Sequence, residues 1–226
     1  MSLQETAFLA IWNDILPECE DEYNEWQTKE HIPERVGIPG FLAGRRYVNW
    51  EADYVRYFTL YEGENLEAFK GAPYLERLNS PTPWTKKMMH NFRNFIRGAC
   101  RTVISEGNGV GGALAAISVL RRDHNGGNEH GDLTALAGQL LAMEGITGVH
   151  IGFANQEVTG IKTTEKSLRE STEEHIFELL VLVEGNGREV IRKSIATIEL
   201  KVKTTFPGIE DMHREIYDLA YLLHSH

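Results

Sequence analysis

The chain has 226 residues, of which 42% are apolar and 25% charged, and its formal net charge is −10. This length allows one large domain or two domains of roughly 100 residues each. Because the sequence has no basic stripe to collect phosphates and no apolar run near the about 18 residues that span a bilayer, we expect neither nucleic acid nor a membrane as partner.

The first half of the sequence predicts the element order β-α-β-β-α-β. Pro17 suits the first turn of a helix, and the acids that follow it, with Lys29 late, suit the helix dipole. Pro33 is expected to end this helix, because the residue before a proline is pushed out of the α region. Strands are expected over 5–14, 40–49, 54–61 and 95–104, and helices over 17–30 and 66–78.

The second half repeats this order less clearly, after a glycine-rich joint near 106–112 (EGNGVGG). The polar stretch 156–173 is predicted to be an excursion or a flexible hairpin tip. Strands are expected over 113–120, 149–154, 175–184 and 216–224, and helices over 133–143 and 188–198.

Two internal sequence repeats, called echoes below, indicate that the two halves of the chain are copies of one structural module. Residues 37–44 (GIPGFLAG) recur 108 positions later as 145–152 (GITGVHIG), and residues 54–63 recur 122 positions later as 176–185. The larger second offset places roughly fourteen extra residues of the second copy between its two echoes. We therefore predict an α+β fold of two tandem ferredoxin-like repeats, 4–106 and 113–226, joined by a linker over 107–112.

A four-stranded sheet with helices on one face leaves its other face bare, and two such sheets can cover each other as a closed barrel. With the motif Glu30-His31-Ile32-Pro33, followed by Ile38-Pro39-Gly40-Phe41, this arrangement resembles the dimeric α/β-barrel superfamily as a tandem fusion in one chain. That group includes EthD-like proteins, stress-responsive A/B-barrel proteins, muconolactone isomerases and antibiotic-biosynthesis monooxygenases. EthD-like members show a similar helix-terminal histidine before a proline and a later glycine that opens strand two.

His31 is the leading candidate for a catalytic residue, in line with this resemblance. At the helix end its ring can lean toward the mouth of the sheet cavity, where a neutral imidazole can move a proton near pH 7. The residue at the corresponding position of the second copy, 108 residues later, is Gln139, whose side chain does not titrate. A histidine that packs on the helix end or caps it is the structural alternative.

Polar strand residues supply further candidates. Tyr57 and Arg46 could stabilise negative charge that develops on a substrate during a reaction. Arg97 and Arg101 share one strand face, and we expect both to line the sheet cavity, because two arginines buried under helices would be costly. Arginines in an aromatic cavity suit a carboxylate or phenolate ligand, whereas ion pairs between the sheets would give them a structural role.

Aromatic residues are concentrated in the first half, which holds all four tryptophans. Trp12 and Phe8 share a face of the first strand, where they could form an apolar wall for a substrate or simply a core. The first repeat is therefore the predicted location of the site.

Metal and haem sites have weak support in the sequence. The spacing of His124 from His130, and of His224 from His226, matches no tight ligand pair, so no metal site is predicted. Some tandem ferredoxin-like enzymes bind haem through a proximal histidine, and His150 or His175 would be the candidates here.

The leading functional hypothesis is a cofactor-independent enzyme acting on a small aromatic or carbonyl-bearing substrate, as an isomerase, cyclase or monooxygenase-like enzyme with His31 as general base. Alternatives are a non-catalytic ligand-binding or stress-response protein, a haem-dependent enzyme, and a protein that assembles as a homo-oligomer through exposed helices or edges. Two cysteines, too few for a disulfide framework, favour a reducing, cytoplasmic setting.

Overall fold

A computed structural model describes residues 7–121, 129–169 and 177–225, with the backbone alone at 129 and 130. The strands are β1 (Ala7–Ile15), β2 (Phe41–Val48), β3 (Tyr57–Gly63), β4 (Phe92–Gly107), β5 (Ala113–Arg121), β6 (Ile146–Ala154), β7 (Leu179–Gly185) and β8 (Ile209–His224). They hydrogen-bond in the order β1-β3-β2-β8-β5-β7-β6-β4, which closes into a barrel. The predicted α+β fold of two ferredoxin-like repeats in a single-chain α/β barrel is confirmed.

The helices are α1 (Glu20–Trp26), α2 (Ile32–Val36), α3 (Ala72–Asn79), α4 (Pro83–Met89), α5 (Glu129–Leu141), α6 (Gln156–Thr159), α7 (Thr164–Leu168) and α8 (Arg188–Thr205). Helix α4 was not among the helices expected from the sequence. Pro83 occupies the first turn of this helix, and the Thr82 hydroxyl caps it by accepting the Thr85 N–H at 3.0 Å.

Contacts divide the chain into two compact units. Of the described residues, the first unit comprises 7–99, 155–169 and 220–225, and the second comprises 100–154 and 177–219. In the first unit, β3 pairs antiparallel with β1 and β2. In the second unit, β7 pairs antiparallel with β5 and β6. The predicted repeat boundaries at 106 and 113 stay a prediction.

The sequence predicted that the first helix ends at Pro33, and this prediction was wrong. The helix continues past Pro33 because a π-turn precedes the proline. This turn spans Gln27–His31 and connects α1 to α2, which continues to Val36. The Ile32 N–H bonds to the carbonyl of Gln27, five residues back, instead of four. A proline lacks the N–H that the regular ladder needs and crowds a carbonyl of the preceding turn, and the wider π-turn accommodates both effects.

The structure also shifts the register of the first echo. Gly40 and Gly145 both have a positive φ, of 91° and 75°, and each directly precedes the strand that follows helix one of its copy. The next residues, Phe41 and Ile146, pair with Gly63 and Gly185, and each pairing is followed by a bulge. Gly40 therefore corresponds to Gly145, at an offset of 105 instead of 108.

The glycine at position 44 allows the helix of the first unit to lie close to β2. A Cβ at Gly44 would come within 2.9 Å of Ile32 Cγ2 and 3.0 Å of Val36 Cγ2. We expect Gly44→Ala to lower the free energy of unfolding by about 1–3 kcal/mol, because overpacking forces neighbouring side chains to move. Denaturant unfolding measures the change.

Gly138→Ala is the matched control. Gly138 is exposed in α5, and an added Cβ would meet nothing within 4 Å. Because alanine favours helix over glycine by about 1 kcal/mol, this variant should be as stable as the parent or more stable. Equal, small effects of the two substitutions would contradict the packing described for Gly44.

Candidate functional site

A small pocket lies in the first unit, between strands and helices. Strand residues such as Ile11, Thr59 and Tyr61 form one side, residues of helices α2 to α4 form another, and the segment 159–169 contributes the rest. Its free volume is about 50 Å³, which is room for a few water molecules. Apolar lining residues are Ile11, Phe69, Leu75, Leu78, Met89, Phe92, Phe95 and Ile161.

His31 lines this pocket as a buried, neutral imidazole. Its ring lies against the Trp26 indole, with centroids 4.2 Å apart and planes inclined by 31°. Its Nδ1 is buried without a hydrogen-bond partner. Burial, together with the positive charges of Arg35 and Arg169, holds the pKa of His31 well below its usual range. The ring is therefore uncharged at neutral pH.

Three further buried polar atoms without a hydrogen-bond partner belong to residues that line the same pocket: Gln27 Oε1, Thr59 Oγ1 and the Tyr61 hydroxyl. Buried polar atoms are nearly always paired, because leaving one unpaired costs about 1–3 kcal/mol. Four such atoms around one pocket indicate a place built to bind a polar ligand or ordered water.

A chain of hydrogen bonds fixes the amide of Gln27. Its Nε2 donates to the Tyr23 hydroxyl at 3.0 Å, and that hydroxyl donates to Asn13 Oδ1 at 3.1 Å. Because the amide nitrogen is held by Tyr23, its oxygen is the atom left for a ligand. The π-turn brings Gln27, His31 and Arg35 to one face of the helix. In an α-helix, residues four positions apart differ by about 40° in direction around the helix axis. The wider π-turn offsets this rotation.

Positive charge dominates the lining of this pocket, although the whole chain is acidic. Four lining residues are cationic (Arg35, Arg97, Lys166 and Arg169), and one, Glu165, is anionic. Arg35 pairs with Glu165 in a contact whose two side chains are both almost completely buried, and also with Glu34 at 2.8 Å. Burial lowers the pKa of Arg169 to about 10, so this residue stays charged at neutral pH.

The polar stretch 156–173, predicted as an excursion or a flexible hairpin tip, forms the short helices α6 and α7 in its described part and belongs to the first unit. Arg97 donates to the backbone carbonyls of Val158 and Thr159, each at 3.1 Å. Asn79 Oδ1 accepts the N–H of Thr164 at 3.1 Å. A segment from the second half of the sequence thus supplies a wall of the pocket in the first unit.

Of the predicted site residues, His31 and Arg97 line the pocket, and Arg46 and Tyr57 lie in an aromatic cluster outside its lining. The Arg46 guanidinium lies over the Tyr57 ring, 4.9 Å from its centroid, and over the Tyr23 ring at 5.3 Å. The Tyr57 hydroxyl donates to Glu20 at 2.5 Å, and burial together with this contact raises the pKa of Tyr57. Arg46 and Tyr57 can therefore support the position of Tyr23.

Phe8, Trp12 and Arg101 are not among the residues that line this pocket. Strand alternation turns Phe8 and Trp12 away from Ile11 and Asn13, and Trp12 packs on Phe58 with centroids 4.8 Å apart. Arg101 is exposed. The expectation that arginines avoid the helix-covered face was wrong for Arg97, whose charge is satisfied there by backbone carbonyls.

Neither His31 nor His150 fits a haem. The pocket around His31 is far smaller than a porphyrin. His150 is buried, and its Nδ1 lies 2.8 Å from the Ser105 hydroxyl. Its Nε2 lies 3.3 Å from a Glu184 carboxylate oxygen without forming a hydrogen bond, and this buried position leaves no room for a porphyrin beside the ring. The other candidate, His175, lies outside the described residues.

The chain is similar to known proteins in its fold and not in its sequence. No protein-family model and no curated protein sequence matches it. Solved structures do match, among them an anthrone oxidase-like protein, with a TM-score of 0.68 and 9% sequence identity over 100% of this chain and 96% of that one. A candidate monooxygenase from Lactobacillus acidophilus NCFM has a TM-score of 0.59 and 11% identity, over 98% of this chain and 97% of that one. Chlorite dismutase from Candidatus Nitrospira defluvii in complex with imidazole has a TM-score of 0.57 and 10% identity, over 96% of this chain and 92% of that one. At these identities the likeness establishes the dimeric α/β-barrel, ferredoxin-type fold.

Within the described ranges, no helix combines the length and apolar character needed to cross a membrane. The same residues contain no group of three or more His, Cys, Asp or Glu side chains placed to hold a metal ion.

A buried neutral histidine makes stability depend on pH. Below the ordinary imidazole pKa of about 6.5 the unfolded chain takes up a proton that folded His31 resists, so stability is lost as pH falls, until the lowered folded pKa is reached. We expect the parent to lose more unfolding free energy than His31→Gln between about pH 7.5 and 5.5. Parallel curves from denaturant titrations would show that His31 is not held neutral.

Proposed function

We propose that the pocket around His31 is the active site of a cofactor-independent, monooxygenase-like enzyme that acts on a small carbonyl-bearing substrate. The observation that carries this proposal is the buried, unpartnered and neutral imidazole of His31 in a pocket lined by hydroxyl groups and cations. The likeness in fold to an anthrone oxidase-like protein and to a candidate monooxygenase supports the reaction class. The EthD-like motif Glu30-His31-Ile32-Pro33 supports the choice of base.

The first step of the proposed reaction is removal of a proton from carbon next to a carbonyl group. His31 Nδ1 takes the proton, and the electron pair of the broken C–H bond moves onto the carbonyl oxygen to give an enolate. The hydroxyl groups of Tyr61 and Thr59 can donate hydrogen bonds to that oxygen, and the nearby cations favour its negative charge. Burial raises the pKa of Tyr61, so its hydroxyl stays protonated and able to donate.

Dioxygen is the proposed oxidant for the second step. The enolate passes two pairs of electrons in all to O₂: a CH₂ group becomes a C=O group, one oxygen atom enters the product and the other leaves as water. The protein's part is to form the enolate and to hold it away from bulk water. A free volume of about 50 Å³ fits the reacting end of a small compound better than a fused ring system.

A cytoplasmic location belongs to the same proposal. It rests on the free thiols of Cys19 and Cys100, the second of which is buried and has its pKa raised by that burial. Neither thiol lines the pocket, so neither has a role in the proposed reaction.

His31→Gln tests the proposal directly. Exchange of the acidic C–H protons of acetylacetone for deuterium, followed by NMR in D₂O, measures the first step without dioxygen. We expect the parent to catalyse this exchange and the variant to lose about a hundredfold or more in rate, the usual contribution of a general base. Oxygen uptake by the same samples measures the second step.

His90→Gln is the control, because His90 is exposed and lies outside the pocket lining. Rates are compared well below the melting temperature of each variant, so that loss of the fold is not counted as loss of catalysis. Exchange that continues undiminished in folded His31→Gln would refute the role of His31. Binding of acetylacetone without exchange in the parent would favour a ligand-binding protein.

A further inference from the structure

The buried ion pair between Arg35 and Glu165 occupies the charged part of the pocket. Both residues line the pocket, and both side chains are at most 4% exposed. Arg35 comes from the helix that carries His31, one helical turn further along, and Glu165 comes from the segment contributed by the second half of the sequence. A planar guanidinium binds carboxylates through paired hydrogen bonds, and Glu165 provides such a carboxylate from within the protein.

The lining of the pocket is positively charged overall. With Glu165 counted, its formal charge is +3; Glu34, outside the lining, also pairs with Arg35, and two backbone carbonyls accept from Arg97. Arg169 lies over the Phe95 ring, 3.9 Å from its centroid, and donates a hydrogen bond to the Met89 sulfur at 3.5 Å. Positive charge in a largely buried site that contains a single carboxylate favours an anionic ligand.

We propose that the substrate is a small oxo-carboxylate whose carboxylate group binds Arg35 in place of Glu165. Glu165 then serves as a built-in substitute for the substrate and keeps Arg35 satisfied while the pocket is empty. When the substrate binds, its carboxylate takes the guanidinium and its carbonyl end reaches toward His31, four residues before Arg35 on the same helix face. This inference deepens the proposed function and rests on it for the chemistry, but not for binding.

Pyruvate is the probe, and methyl pyruvate, which lacks the negative charge, is the matched control ligand. Isothermal titration calorimetry at neutral pH measures both affinities. Glu165→Gln keeps the size and a hydrogen-bonding group of residue 165 but removes the competing charge. We expect it to tighten pyruvate binding about tenfold, the factor that corresponds to 1.4 kcal/mol, and to leave methyl pyruvate within about twofold of the parent.

Two more variants complete the test. Glu34→Gln removes the other carboxylate on Arg35, which does not line the pocket, and should change pyruvate affinity less than about twofold. Arg35→Lys keeps the positive charge but loses the planar fork, and should weaken pyruvate binding about tenfold with little effect on methyl pyruvate. Glu165→Gln is expected to raise the affinity for pyruvate and Arg35→Lys to lower it. A general loss of structure would lower the affinity in both variants, so opposite changes indicate competition for the guanidinium.

The proposal is overturned if the parent and Glu165→Gln bind pyruvate equally, if neither binds it, or if methyl pyruvate responds to the variants as pyruvate does. These outcomes are distinct from failure of the proposed function. Exchange of acetylacetone protons that depends on His31, with no pyruvate binding, would leave His31 as a base and remove the oxo-carboxylate. Pyruvate binding that follows Arg35 and Glu165, with no exchange dependent on His31, would leave an anion site without the proposed reaction.

Discussion

A neutral imidazole held among arginines is the constraint on which the site depends. The charges of Arg35 and Arg169 and the burial of the ring all oppose protonation of His31, so the ring is neutral in a pocket whose lining carries more positive than negative charge. The same arrangement costs stability, because buried polar atoms without partners are unfavourable. Such local costs are typical of functional sites, where the surrounding fold compensates for them.

The rest of the first unit can be understood as support for this arrangement. The π-turn at Gln27–His31 carries the helix past Pro33 and turns three residues spaced by four toward the sheet. Gly44 lets that helix lie close to the strand beneath it. The segment 155–169, which the second copy carries as extra length, docks through Arg97 and brings Glu165 and Arg169 to the pocket. In the second unit, residues of α5 and α8 contribute to a core cluster of apolar side chains.

The order of the strands and of the main helices between them could be predicted from the sequence, because alternation, helix-dipole charges and glycine turns are local signals, whereas the short helices α4, α6 and α7 were not predicted. The EthD-like motif singled out His31, which lines the pocket, and its catalytic role stays a prediction. The end of the first helix could not be predicted, because a proline signal is local and the π-turn that accommodates Pro33 is not visible in composition. Glu165 and Arg169 lie 134 and 138 residues after His31 in the sequence, and only docking of their segment brings them to the pocket. The face on which Arg97 lies was missed for a similar reason, since its carbonyl partners belong to that segment.

The protonation state of His31 is the measurement that tests this account most directly. Nitrogen-15 NMR of the parent labelled at its histidines, with His31→Gln used to assign the signal, reports each ring nitrogen separately. The account predicts a neutral ring at pH 7, with one nitrogen unprotonated and with no change of charge as the pH is lowered through about 6.5, where an ordinary imidazole titrates. An imidazolium signal at pH 7, or titration near the ordinary value, would contradict it and remove the base from the proposed site.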